Sequence, residues 1–189
     1  MISSHTSFEN SQPLTHPAIT IRIGTLADIP GIAEISVAAW KWAFSSFLPP
    51  EFVQSRTDLN RRNASLQKAC SADQLCLVAV NDQDTICGYA LEHSPCSLEG
   101  YQAEIGGLYV HPEMARMGIG LALVKSMVGE FCWRGSDSMA IHTLAQNEIG
   151  CNFYAKLGGV RDQETSWNGY PSVWYVWPDL IALNERLNG

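Results

Sequence analysis

The chain has 189 residues, 46% of them hydrophobic and 16% charged, which is the balance of a folded domain with a full core rather than of a disordered polymer. Its net charge is −7, its sequence pI is about 5.1, and its longest basic cluster is Arg61-Arg62, so nucleic acid is not an expected partner. There is no run of about 18 apolar residues, and no membrane span is expected.

Residues 1–18 are polar, lack an apolar stretch and read as a flexible tail, leaving one domain over residues 19–189. Ile19 to Ile23 alternates as a strand does. Thr25 or Asp28 can cap the following helix, which has Pro30 early and carries Ile32, Ile35, Val37, Ala39 and Trp40. Phe47-Leu-Pro-Pro50 breaks that helix, and residues 51–70 read as a second, more polar one. Residues 75–80 and 85–92 form a hairpin about the turn Asn81–Asp84. A loop over residues 93–101 leads to a strand at 103–110, a helix at 118–133 and a strand at 138–144. Asn147 can cap a short helix ending at Leu157, with Gly158-Gly159 as its stop. Two strands flank Asn168-Gly169, a strong hairpin turn, and Trp177-Pro178 ends the second before a short closing helix.

The six cysteines form no Cys-x-x-Cys and have no histidine at metal spacing, so no metal is expected. Free thiols in a reducing cytoplasm are the default for such a chain.

The most informative segment is Glu104–Val124. A strand is halted by His111-Pro112, and Arg116-Met-Gly-Ile-Gly120 turns into a helix with apolar Leu121, Val124, Val128 and Phe131 at helical spacing. Such a helix start offers unpaired N–H groups and a positive dipole end to an anion, and Gly118 and Gly120 permit close approach. The third glycine of the dinucleotide fingerprint and the Gly-Lys-Ser/Thr of a triphosphate loop are both absent. Gly106-Gly107 inside the preceding strand predicts a bulge or a close backbone approach.

Three stretches together resemble the GCN5-related N-acetyltransferases (the GNAT family). Tyr109-Val-His-Pro-Glu113 followed by Gly118 and Gly120 is similar to that family's pyrophosphate loop, with Ala115 where Gln or Arg is usual and Arg116 one place later. Ala39–Val53, with Trp40, Phe44 and a Leu-Pro-Pro end, resembles a phrase between the family's first two helices. Asn147–Gly159 resembles its Asn…Phe-Tyr-x-Lys-Leu-Gly-Phe signature, with Gly159 in place of Phe. The order of elements over roughly residues 19–178 also agrees. The resemblance implies a three-layer α/β fold: a mixed, mostly antiparallel sheet of six or seven strands with one splayed pair, flanked by about four helices.

The resemblance also implies roles. Acetyl-coenzyme A would be held by the backbone of Met117, Gly118, Ile119, Gly120 and Leu121, with Arg116 either on a phosphate or solvated. Its pantetheine arm would bond to Leu108, Tyr109 and Val110, the Val110 N–H serving as oxyanion donor. Asn147 would contact the arm, act as a plain N-cap, or both. Tyr154 would protonate the leaving sulfur or simply pack; its ordinary pKa of about 10 keeps the proton available. Glu104, placed by a period of two on the face of Gly106 and Leu108, is either the general base or a salt-bridged edge residue. His111 reads as structural and His142 as a packed histidine. Trp40, Phe44, Trp167 and Tyr170 are candidate walls for the acceptor, with Trp42, Phe47 and Trp174 nearby. The expected activity is direct transfer of acetyl to a primary amine of a small molecule or peptide. The competing expectation is a non-catalytic acyl-coenzyme A-binding module, and a homodimer is the default assembly.

Overall fold

The computed structural model describes residues 18–70 and 74–189. All but one of the residues assigned to the flexible tail lie outside the described residues. The strands are Thr20–Ile23 (β1), Cys76–Val80 (β2), Ile86–Glu92 (β3), Ala103–Val110 (β4), Met139–Leu144 (β5), Val160–Trp167 (β6) and Tyr170–Trp177 (β7). They form one sheet in the order β1-β2-β3-β4-β5-β7-β6. Only β4 and β5 run parallel; the other neighbours are antiparallel. This is the mixed sheet the sequence predicts, with seven strands.

The helices are Ile29–Phe44 (α1), Pro50–Arg56 (α2), Leu59–Cys70 (α3), Ile119–Trp133 (α4), Glu148–Lys156 (α5) and Leu180–Asn188 (α6). Six among the described residues exceed the four expected, partly because residues 51–70 hold two helices. Thr57 ends the first by bonding its hydroxyl to the Val53 carbonyl at 2.9 Å. Asp58 starts the next, its carboxylate accepting the Arg61 N–H at 2.8 Å. The short polar side chains at 57 and 58 thus compete with the helix backbone at the junction.

Helix α4 buries Ile119, Leu123, Val124, Met127, Val128 and Phe131 against one face of the sheet. Leu180 and Leu183 of α6 and Tyr154 of α5 complete that core. The predicted stripe was right for Val124, Val128 and Phe131, but Leu121 is 43% exposed. On the opposite face, α1 packs Ile29, Ile32, Ala33 and Ile35 with Leu66 of α3 over Val78, Val80 and Tyr89. A third cluster joins Trp40 and Phe44 to Val53 of α2 and to Trp167 and Tyr170 at the β6–β7 turn.

A partly buried ion pair fixes where α1 leaves the sheet. Arg22 of β1 grips Asp28 with two bonds of 2.8 Å. The same carboxylate accepts the Thr25 N–H at 2.7 Å. The Arg22 guanidinium is the main reason the Asp28 carboxyl stays far below the usual carboxylate range. At the other end of the fold, Asn168 (φ +51°) and Gly169 (φ +82°) form the predicted hairpin turn between β6 and β7. The β6 edge is exposed and polar, with Arg161 paired to Glu164 at 2.9 Å, a composition that discourages further strand pairing.

Candidate active site

The site begins with an interruption in the sheet. Strands β4 and β5 pair only from Ala103–Met139 to Ile105–Ile141. Beyond that point β4 follows β3 to Val110, β5 follows β7 to Leu144, and a wedge opens between them. Gly106 is the extra residue that causes the change: Leu91 of β3 faces Gly107, whereas Glu92 faces Ile105. A Cβ at Gly106 would lie 2.7 Å from that of His93, so glycine is required by close approach.

The inserted residue reverses the strand's polarity. Ala103 donates its N–H toward β5, to Ser138. Past the bulge, His111 donates toward β3, to Cys87 at 2.8 Å. By the alternation of an antiparallel ladder, Tyr109 also addresses β3, so the N–H and C=O of Leu108 and Val110 face the wedge. Side chains switch as well. Ala103 and Ile105 pack toward α4, and so do Leu108 and Val110, while Tyr109 packs with the α1 clusters. The expectation that Glu104 shares a face with Leu108 is therefore wrong. Glu104 lies on the face of Gly107 and Tyr109, because the bulge resets the period of two.

The loop after β4 is held by its own side chain: His111 Nδ1 accepts the Glu113 N–H at 3.3 Å across a 3₁₀ turn at Pro112–Met114. Arg116 (φ +66°) and Gly118 (φ +81°) then take left-handed conformations and aim the chain into α4. For arginine this backbone is uncommon, and such outliers cluster at functional sites. The first bond of the helix runs from the Ala122 N–H to the Gly118 carbonyl at 3.0 Å. Among the described residues no protein acceptor meets the N–H groups of residues 116–121. The positive end of the α4 dipole adds to these free donors.

A cavity of about 800 Å³ runs from this loop to the wedge. Every residue assigned to the coenzyme lines it except Met117, whose side chain packs against the core. Lys156 and Trp42 also line it; Trp42 was expected near the acceptor wall instead, and the sequence offered no signal for Lys156 beyond its nearness to Tyr154. Asn147 caps α5 through Oδ1, which accepts the Gly150 N–H at 3.2 Å, and its Nδ2 donates to Thr143 at 3.0 Å. The plain capping role is present, and one amide hydrogen remains. Tyr154 is buried against Tyr175, with ring centroids 5.6 Å apart. Burial first, and then nearby Tyr109, push its hydroxyl well above the ordinary tyrosine range.

A second cavity of about 550 Å³ lies on the α1 side of the wedge. Phe44, Leu108, Tyr109, Asn147 and Tyr154 line both cavities, so the two meet there. Trp40, Phe44 and Trp167 line the second cavity as predicted for an acceptor wall. Tyr170 does not; it stands behind, 5.0 Å from the Phe52 ring. Trp40 donates Nε1–H to the Tyr109 hydroxyl at 3.1 Å, joining α1 to β4. Glu104 is 6% exposed and opens into this cavity, its carboxylate accepting the Ser97 N–H at 2.7 Å.

His142, read from the sequence as a packed histidine, also lines this cavity, as do Arg56 and Arg62, which were not anticipated. His142 stacks on Trp174 at 4.6 Å, with a buried Nε2 that has no partner among the described residues. Its burial lowers its pKa, and the Glu104 charge opposes part of that shift, so the ring is neutral at pH 7. Arg56 and Arg62 enter from α2 and α3. Nothing in the linear pattern links them to β4, since helices far apart in sequence supply them. Among the described residues no group of histidine, cysteine or acidic side chains is arranged to hold a metal, and no helix is long and apolar enough to cross a membrane.

Comparison with known proteins agrees with this architecture. Residues 37–159 match the model of the Acetyltransferase (GNAT) family. The chain is 27% identical over 176 residues to an uncharacterized N-acetyltransferase, YuaI, of Bacillus subtilis (strain 168), covering 90% of this chain and 99% of that one. It is 25% identical to a spermidine N(1)-acetyltransferase of Thermoplasma acidophilum, covering 75% of this chain and 88% of the other. The PaiA N-acetyltransferase from Thermoplasma acidophilum, solved in complex with coenzyme A, superposes with a TM-score of 0.72 at 21% identity, over 85% of this chain and 99% of that structure. With a matching family model across residues 37–159 and the same fold around a splayed strand pair, the chain belongs to the Acetyltransferase (GNAT) family of acyl-transferring enzymes.

Proposed function

We propose that the protein transfers the acetyl group of acetyl-coenzyme A directly to a primary amine within a ternary complex. The observation that carries this reading is the meeting of two cavities at the β4–β5 wedge, where five residues line both. One cavity suits the coenzyme and the other an acceptor, and direct transfer requires that they touch.

In this reading the free amides of residues 116–121 hold the pyrophosphate, with Arg116 and Lys156 contributing charge. The main chain of Leu108 and Val110 holds the arm, as a missing strand would, and the Val110 N–H meets the carbonyl oxygen as it gains charge. The amine nitrogen forms its bond to the acetyl carbon while the carbon–sulfur bond breaks. Glu104 takes the amine's proton, directly or through water, with neutral His142 on the same face as a second acceptor. Tyr154 gives its proton to the departing sulfur. A hydroxyl raised well above the ordinary range holds that proton at neutral pH, so it is present to meet the sulfur as negative charge develops there.

Coenzyme A is expected to raise the melting temperature, as a ligand of the folded state must. Gly120→Glu places bulk and negative charge at the amides and is expected to abolish the shift. A retained shift in that variant would remove the loop from the coenzyme site.

A further inference from the structure

The acceptor cavity is lined by two arginines that form no ion pair among the described residues. The guanidinium of Arg56 lies over two indoles, 4.6 Å from the ring centre of Trp167 and 5.6 Å from that of Trp40. Arg62 donates to the main-chain carbonyl of Arg56 at 3.1 Å, and both guanidiniums line the same cavity. Both Nε atoms are buried without a hydrogen-bond partner. Burial weakens the Arg56 cation, and repulsion from Arg62 weakens it further.

This arrangement is unfavourable unless something completes it. Two like charges share one wall, and two forked donors are left partly unused. Stacking on Trp40 and Trp167 offsets some of the cost but supplies no acceptor for the N–H groups. An anion between the guanidiniums would relieve the repulsion and satisfy the Nε donors together, in the planar geometry arginine offers to carboxylate and phosphate. The same cavity carries Glu104 and His142 beside the wedge, where the amine must lose its proton. It therefore has an anion-binding pole and a proton-accepting pole.

Resting on the transferase reading above, we infer that the acceptor is a small amine bearing an anionic group, a carboxylate or a phosphate, which Arg56 and Arg62 bind while its nitrogen faces Glu104. A polyamine, the acceptor named for one relative, would bring further positive charge against the same pair.

The test uses the full chain with acetyl-coenzyme A and follows thiol release from matched acceptors: α-amino acids and ω-amino acids against their carboxamides, with phosphoethanolamine and spermidine alongside. The expected result is a kcat/KM for the carboxylate or phosphate amine roughly ten- to a hundredfold above its uncharged counterpart, the scale of one or two charge-assisted hydrogen bonds. A carboxylate preference or a phosphate preference then identifies which anion the pair binds. In Arg62→Gln and Arg56→Met the preference ratio is expected to fall toward one through KM; the methionine keeps an apolar stem against the two indoles. A carboxamide or spermidine used as well as the anionic amines overturns the inference, as does a panel in which no anionic amine reacts. So does a ratio left unchanged in both variants. The coenzyme A melting shift is measured on each protein: if it persists and uncharged amines release thiol while the anion preference fails, the transferase reading stands and only the acceptor class falls; if it persists and no amine of the panel releases thiol, both readings fall together.

Discussion

The two cavities that meet at the wedge are built in different ways. The proposed coenzyme side is made largely of main chain: unpaired amides before α4 and the outward backbone of Leu108 and Val110. The proposed acceptor side is made largely of side chains from α1, α2, α3 and strands β3 to β7. A backbone grip tolerates sequence change, so on this proposal Ala115 in the loop costs little. A side-chain pocket changes specificity with each substitution, so relatives with the same fold need not share an acceptor.

Tyr154→Phe is expected to cut that comparison most sharply, because it touches both cavities. Turnover should fall about a hundred- to ten-thousandfold while coenzyme A affinity holds, measured by kcat beside the melting shift. Equal turnover would remove this hydroxyl from the chemistry, and no turnover in either protein would favour a module that binds acyl-coenzyme A without reacting it. Glu104→Gln should act on the acceptor side alone, lowering kcat about a hundredfold. A variant that keeps the wild-type turnover would transfer the base role to His142, which lines the same cavity.

Asp28→Asn probes the frame under the acceptor wall. Asp28 has a depressed carboxyl pKa in the folded chain. Its contribution is therefore present above the unfolded carboxylate range and is lost as pH falls through and below it. The variant should lose roughly 2 kcal/mol in urea unfolding at pH 7, and the difference from wild type should shrink toward pH 3. Trp40→Phe removes only the bond to the Tyr109 hydroxyl and part of the indole wall. A few-fold rise in acceptor KM is expected, with coenzyme A affinity unmoved.

The same contrast explains what could be read in advance. Glu104 to Val124 is one contiguous stretch, and its strand, turn and helix start follow from Pro112, Gly118 and Gly120 alone. Asn147 and Tyr154 were legible because one short helix joins them. Arg56 and Arg62 were not, since the split at Thr57-Asp58 sets the direction in which each helix delivers its arginine. Tyr170 was placed at the pocket by the resemblance at the last hairpin, yet its ring packs on Phe52 and does not line the cavity. The face of Glu104 was misread because alternation was counted through Gly106 as though every residue of β4 were paired.

That glycine has a consequence for how the strand can evolve. Counted forward from Ala103, Leu108 belongs beneath α1; counted back from Val110, it belongs beneath α4. The strand is thus two alternations spliced at a single position: the first half pairs with β5 and the second faces the wedge. Removing one residue there would not trim β4 but exchange the inward and outward sides of everything downstream, turning the donors that now face the wedge back onto the neighbouring ladder. Point substitutions can retune the pocket one wall at a time, whereas a change of length at this place rewrites both halves at once.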